Sequence, residues 1–239
     1  MSDPIVARVL QRREHGVIVA VPIPAELGRA ALSAELAPEE RALAAPWGEL
    51  RARTFAAGRV ALRTALREVG VDVGGPILKT TRGAPLLPAG VRASVSHKDE
   101  LAIAIATLED GSGAHVGVDV EIVEERRVRA GGKRIDVSRH VLTTRELDEL
   151  AVLDDEARHR ALLLRFSLKE SLYKALDPFV QRYVGFLEVE ARPLDDGTAS
   201  FVLALSHGEG PFIVEGAWSA ASDPLAGEIV ISSVRVRRR

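Results

Sequence analysis

The chain has 239 residues but no cysteine, one methionine, two tryptophans and two tyrosines. The missing cysteine excludes disulfides, thiolate metal sites and cysteine nucleophiles, and it fits a reducing compartment. Long hydrophobic runs are missing as well. The segment 16–25 is too short to span a bilayer and contains Pro22 and Pro24. Met1, Ser2, Asp3 and Pro4 put an acid and a proline where a secretory signal has basic charge and an apolar run. These features predict a cytoplasmic protein that does not associate with membranes. Neither charge dominates: 32 Lys and Arg against 34 Asp and Glu give a net charge of −2. That balance argues against a general nucleic-acid binder.

Several catalytic signatures are also absent. The histidines at 15, 97, 115, 140, 159 and 207 are scattered, and no H-E-x-x-H brings two of them together. No G-x-S-x-G elbow occurs, and Gly131-Gly132-Lys133 lacks the upstream glycine of a phosphate-binding loop.

What remains is an ordinary globular composition, 46% hydrophobic and 28% charged, enough for one large domain or two small ones. The β-branched segment 16–22, closed by proline, predicts a buried strand. Residues 33–45 are helical in composition, and Pro46 interrupts them. Residues 47–69 predict a long helix with a stripe of Phe55, Leu62, Leu66 and Val69, closed by Gly70. Strands are expected near 77–80, 91–96, 101–107 and 116–123. In the third of these, Leu101, Ile103 and Ile105 alternate with alanines, as in a strand packed on both faces. Thr143 and Glu146 form a capping-box pattern. A second long helix is expected from about residue 156 to 176, stopping at Asp177-Pro178, followed by strands near 186–191, 200–205, 212–217 and 228–236. Long helix then strands, twice over, predicts an α+β fold of two similar halves, residues 1–114 and 115–239.

Three local features carry chemistry. On the strand Gly117-Val118-Asp119-Val120-Glu121, alternate residues share a face, so two carboxylates lie side by side in an apolar segment. They fit either an exposed face paired with arginines or a site for a hard divalent cation. In the helix segment Phe166-Ser167-Leu168-Lys169-Glu170-Ser171-Leu172-Tyr173-Lys174, Glu170 and Lys174 form an (i, i+4) pair, and Lys169 adds a cation beside them. The pair reads as a surface ion pair or, among so many leucines, as part of a site. Ser96-His97-Lys98 ends a strand downstream of Arg82-Gly83-Ala84-Pro85, where His97 is either structural or a phosphate ligand. Arg51, Arg53, Arg59, Arg63 and Arg67 stud the first helix. Most of them suit a solvated face, but Arg59 lies in a small-residue stretch suited to a pocket edge. Two strand carboxylates and one helix carboxylate can hold Mg²⁺, with a lysine and scattered cations left for phosphates.

In this order the three blocks resemble the 4′-phosphopantetheinyl transferases, in particular the larger two-lobed type that activates siderophore, peptide and polyketide synthetases. The resemblance covers roughly residues 47–190. It rests on Gly117–Glu121, on Phe166–Lys174, and on the Phe55-Ala56-Ala57-Gly58-Arg59 and Ser96-His97 segments. It implies a pseudo-dimer of two α+β lobes, each a long helix on a small antiparallel sheet, with the active site in the cleft between them. It implies that Asp119, Glu121 and Glu170 hold Mg²⁺ (Mn²⁺ is the other oxygen-seeking candidate) and that Lys174 stabilises charge on the coenzyme A pyrophosphate. His97 and Ser96, with Arg51, Arg59, Lys79 and Arg82, would contact the phosphates or nucleotide. Lys169 would lie near the pantetheine arm or the phosphates. The implied reaction moves 4′-phosphopantetheine from coenzyme A to a serine of an apo acyl or peptidyl carrier protein and releases adenosine 3′,5′-bisphosphate. The base is either Glu170 or a water at the metal.

This sequence departs from the family pattern in two places. Ala84 stands where some members have lysine, and Lys98 stands where a Ser or Cys often follows the histidine. The basic segment 124–136 (Arg126, Arg127, Arg129, Lys133, Arg134) reads either as an ordinary charged loop or as a steering patch for an acidic carrier. Two other readings stay open: a non-catalytic module that binds coenzyme A or carrier proteins, and another Mg²⁺-dependent phosphoryl or nucleotidyl transferase. Two lobes in one chain predict a monomer.

Overall fold

The structure is a computed structural model and describes residues 7–13, 15–25, 34–123 and 137–239. Strands β1 (Arg8–Arg13), β2 (Gly16–Pro22), β3 (Val91–His97) and β4 (Leu101–Leu108) form an antiparallel sheet in the order β1-β2-β4-β3. Helices α1 (Pro38–Ala44) and α2 (Glu49–Glu68) lie between β2 and β3 in the chain. After β5 (His115–Ile122) come α3 (Ser138–Val141), α4 (Thr144–Ala151) and α5 (Asp155–Val180). A 3₁₀ turn (Phe186–Glu188) then leads to β6 (Val189–Pro193), β7 (Thr198–Leu203), β8 (Phe212–Asp223) and β9 (Gly227–Arg238). These strands form a second antiparallel sheet in the order β5-β9-β8-β7-β6.

The alternation in the sequence explains the layering. Val17, Val19 and Val21 of β2 and Ala102, Ala104 and Ala106 of β4 face α2, whose own small stripe of Ala56, Ala57, Ala61 and Ala65 lets the helix approach closely. The opposite faces of these strands, Ile18, Leu101, Ile103 and Ile105, pack on Val116, Val118, Val120, Ile229 and Ile231 of the second sheet. Ile103 and Ile105 are fully buried, and each contributes about 1.5–3 kcal/mol of transfer free energy. On the far side of the second sheet, Leu172, Ala175 and Leu176 of α5 pack on Val234, Val236 and Val189. The resulting layer order is α2, first sheet, second sheet, α5.

Two expectations need correction. Residues 77–80 form no sheet strand. They are one arm of a small hairpin, with Thr80 N–H donating to Ala84 O and Leu86 N–H to Leu78 O, and Gly83 (φ 92°) at its tip. Helix α5 does not stop at Asp177-Pro178 but runs to Val180 and ends at Gln181, whose φ is 50°. Pro178 forfeits the N–H bond to Lys174 O and its ring crowds that carbonyl, a cost confined to the last turn. Strand β1, an arginine-rich sheet edge, carries no clear signal in the sequence. Among the described residues no helix is long and apolar enough to cross a membrane.

Candidate active site

Edge strand β3 of the first sheet runs beside edge strand β5 of the second, and side chains rather than a backbone ladder close the seam. Val118 N–H donates to Ser94 Oγ (3.3 Å), and Val118 C=O accepts from Lys174 Nζ (2.9 Å). These two contacts satisfy backbone groups that an unpaired sheet edge would otherwise leave bare. Along β3 the two-residue period continues. Ser96 Oγ donates to Asp119 Oδ1 at 2.6 Å, and Lys98 Nζ lies 2.7 Å from Glu121 Oε1. The paired carboxylates of β5 therefore face this seam and α5 rather than open solvent.

Gly117 sets how close α5 comes. A Cβ at this position would sit 1.9 Å from Ser171 O and 2.9 Å from Ala175 N. Helix backbone thus rests directly on strand backbone, which brings Glu170 and Lys174 to the carboxylates. Lys174 Nζ reaches Asp119 Oδ1 at 2.8 Å.

The carboxylate cluster is short of positive charge. Burial, followed by the charge of Asp119, pushes Glu121 up to about 8. Burial also raises Glu170 above the usual carboxylate range. Asp119 Oδ2 is buried without a hydrogen-bond partner. Among the described residues no three His, Asp or Glu side chains are gathered tightly enough to enclose a metal ion, and Lys98 and Lys174 hold the two strand carboxylates instead. An orphaned buried carboxylate oxygen beside two further carboxyls suits a hard divalent cation such as Mg²⁺ or Mn²⁺. The residues present fit the group that the sequence implies.

Next to this cluster is a cleft of about 840 Å³, whose walls include Arg51, Arg59, Lys79, Arg82, His97, Glu170 and Lys174. Segments far apart in sequence converge here. Arg51 and Lys79 place their cationic groups 4.5 and 4.8 Å from the centre of the Trp47 ring. Arg59 is buried, with its guanidinium 4.4 Å from the Phe55 ring centre and its Nε donating to Ile77 O at 2.7 Å. Burial lowers its pKa to about 10, against the raising effect of Glu40 3.8 Å away, so it stays charged. Arg82, at the hairpin, donates from Nε to Asp177 Oδ1 (2.7 Å) and from its terminal nitrogen to Tyr173 Oη (3.2 Å), joining the first half of the chain to α5. His97 opens onto the cleft. The surrounding protein, then the Lys174 and Lys98 charges, holds its pKa below the usual imidazole value. A neutral ring with one N–H suits a phosphate oxygen.

Two expected ligands lie elsewhere. Lys169 is 2% exposed, and its ammonium donates to Glu146 Oε2 (2.6 Å), Val141 O (2.8 Å) and Phe186 O (3.1 Å). With its three donors engaged it ties α5 to α4 and has none left for a phosphate. Ser96 is buried and does not line the cleft, because its hydroxyl is committed to Asp119. The basic segment 124–136 lies outside the described residues. The cleft also uses Trp47, Tyr173, Asp177 and Arg92, which sequence reasoning did not single out. The buried Glu40 was missed too. It accepts from Ile77 N–H and Arg63 and so anchors the segment before Lys79. Only Tyr173 stood within a motif. The others become visible through long-range contacts.

Residues 115–221 match the 4′-phosphopantetheinyl transferase superfamily, and residues 39–107 match the 4′-phosphopantetheinyl transferase N-terminal domain. The 4′-phosphopantetheinyl transferase Npt of Nocardia iowensis is 31% identical over 195 residues, 79% of each chain. Enterobactin synthase component D of Salmonella typhi is 34% identical over 140 residues, 54% of this chain and 49% of that protein. A holo-[acyl-carrier-protein] synthase of Limosilactobacillus fermentum is 39% identical over 77 residues, 32% of this chain and 64% of that protein.

Proposed function

The chain belongs to the 4′-phosphopantetheinyl transferase superfamily, and on that premise we propose how its own residues move phosphopantetheine from coenzyme A to a carrier protein. The observation that carries the reading is the convergence of Arg51, Arg59, Lys79, Arg82, His97 and Lys174 on one cleft that also exposes Glu170 and adjoins Asp119. The cations bind the 3′-phosphate and pyrophosphate as charge-assisted partners. Asp119, Glu121 and Glu170 would hold Mg²⁺, which would supply positive charge against the pyrophosphate.

The carrier serine Oγ attacks the β-phosphorus, and the bond from that phosphorus to the bridging oxygen breaks. The serine proton passes to Glu170, the carboxylate that lines the cleft beside Lys174. The departing phosphate of adenosine 3′,5′-bisphosphate keeps the electron pair beside Lys174. The same reading divides the chain into lobes of residues 1–114 and 115–239, supported by the separate matches over 39–107 and 115–221. It also places a monomer in the cytoplasm with no nucleic-acid or membrane partner.

The test is intact-mass spectrometry of an apo acyl or peptidyl carrier protein incubated with this protein, coenzyme A and Mg²⁺. A gain of one phosphopantetheine, roughly 340 Da, lost with chelator and with Glu170→Ala, is expected. No gain on any of several carriers, with coenzyme A demonstrably bound, would replace transfer by a binding role.

A further inference from the structure

Of the two lysines that hold the strand carboxylates, Lys98 has no part in the mechanism above. It begins the turn between β3 and β4, its N–H donating to Leu101 O at 2.7 Å. From there its side chain leaves the first sheet and crosses the seam to Glu121, with Nζ 2.7 Å from Oε1. The ammonium is 5.8 Å from the centre of the Phe166 ring on α5. The lysine side chain is 30% exposed, whereas the Glu121 side chain is only 7% exposed. Glu121 is therefore the enclosed partner, and Lys98 holds it from the more exposed side on a flexible four-carbon stem.

The charges at the seam set the consequence. Asp119, Glu121 and Glu170 supply three carboxyl groups, and Lys98 and Lys174 supply two ammonium groups already at ion-pair distance. A divalent cation arriving alone must displace or repel both. Coenzyme phosphates arriving with it give the displaced ammonium a new partner. We propose that Lys98 is a resident counterion for Glu121 that makes metal binding depend on coenzyme A, sitting on the carboxylate when the coenzyme is absent and moving to a coenzyme phosphate when the metal takes the carboxylate. Lys98 is then a positioning residue acting through Glu121. The proposal rests on the function proposed above. Linkage requires the effect to be reciprocal, so the coenzyme tightens the metal by the factor by which the metal tightens the coenzyme.

The test is a Mn²⁺ titration of the full chain at pH 8.5, following the free-ion electron paramagnetic resonance signal, with and without saturating coenzyme A. The unsubstituted protein should bind Mn²⁺ roughly tenfold or more tightly with the coenzyme than without. Lys98→Met should bind Mn²⁺ more tightly than the unsubstituted protein in the absence of coenzyme, and the tightening by coenzyme should shrink. Lys98→Arg should restore it. Lys98→Gln, which keeps a donor without the charge, must follow Lys98→Met and guards against loss of the fold. In a Glu121→Gln background the Lys98 substitutions should no longer matter. Equal Mn²⁺ affinities with and without the Lys98 charge, in a protein that still modifies carriers, overturn the counterion role alone. Failure to bind coenzyme A or to modify any carrier overturns the transferase reading first.

Discussion

Ser96 donates its hydroxyl hydrogen to Asp119 Oδ1 at 2.6 Å across the seam between the sheets, while Asp119 Oδ2 is buried without a partner. Lys174 Nζ donates to the same Oδ1 at 2.8 Å, so both donors engage one oxygen and the other faces the proposed cation. Ser96→Ala is therefore expected to lower carrier-modification kcat/KM roughly tenfold and stability by about 1.5–3 kcal/mol, the worth of a hydrogen bond to a charged group, with Lys174 still paired to Oδ1. Steady-state kinetics with urea denaturation separates the two effects. Lost stability at unchanged kcat/KM would reduce the hydroxyl to a structural tie.

Glu121 supplies a pH prediction with a definite sign. Its carboxyl is raised from 4.5 to about 8, so between those values the fold holds a proton that the unfolded chain has released. Metal-free stability should therefore fall as pH rises from 4.5 to 8. Metal binding expels that proton, so each pH unit below 8 should weaken the metal about tenfold. Thermal-shift titrations with Mg²⁺ at pH 6.5 and 8.5 read this directly, and the larger shift belongs at the higher pH. Glu121→Gln should flatten the dependence.

A methyl group at position 117 is expected to be costly. The added Cβ would meet the α5 backbone at 1.9 Å, and backbone cannot rotate out of the way. Gly117→Ala should destabilise the fold by about 1–3 kcal/mol or more, as overpacking does. It should also lower activity in the fraction that remains folded, because α5 carries Glu170 and Lys174. Chemical denaturation with m-value analysis measures the first effect. An unperturbed midpoint would mean that the helix can shift outward cheaply.

Lys169 should behave as a structural residue despite its place beside Glu170. Its ion pair with Glu146 is 1% and 0% exposed. Removing the lysine leaves the buried Glu146 charge without its counterion, held only by the Thr143 and Ala191 N–H groups, a loss of about 3–5 kcal/mol. A paired replacement, Lys169→Met with Glu146→Gln, which keeps an acceptor for the Thr143 and Ala191 N–H groups, should recover part of that stability. In both proteins KM for coenzyme A should stay within about twofold of the unsubstituted value wherever the fold survives, since the ammonium does not reach the cleft. A large KM increase in the paired variant would return Lys169 to the binding site.

Much of this architecture is written in local patterns. Leu101, Ile103 and Ile105 alternating with Ala102, Ala104 and Ala106 announced a strand covered on both faces, and the two faces meet the second sheet and α2. The Asp119 and Glu121 pair followed from the two-residue period, and the Glu170 and Lys174 pair from the helical turn. Tertiary contacts stayed hidden. Nothing local to Lys169 distinguishes it from Lys174, because only the arrival of α4 with Glu146 commits it. Ser96 belonged to the right neighbourhood, but its partner lies on another sheet. Trp47 and Glu40 act through folding that brings residues 40, 47 and 79 together. The 77–80 segment misled because its β-like composition serves a hairpin with only one bridge, Lys79 to Pro85.

The seam between β3 and β5 has a practical consequence. Ser96, His97 and Lys98 come from one side, and Asp119, Glu121, Glu170 and Lys174 from the other. In sequence the two groups are joined by the exposed turn 109–113. Cutting the chain in that turn would leave two fragments, neither holding a whole site. Their reassembly would be visible only when a carrier gains mass, which makes the protein a natural candidate for a split reporter of fragment proximity.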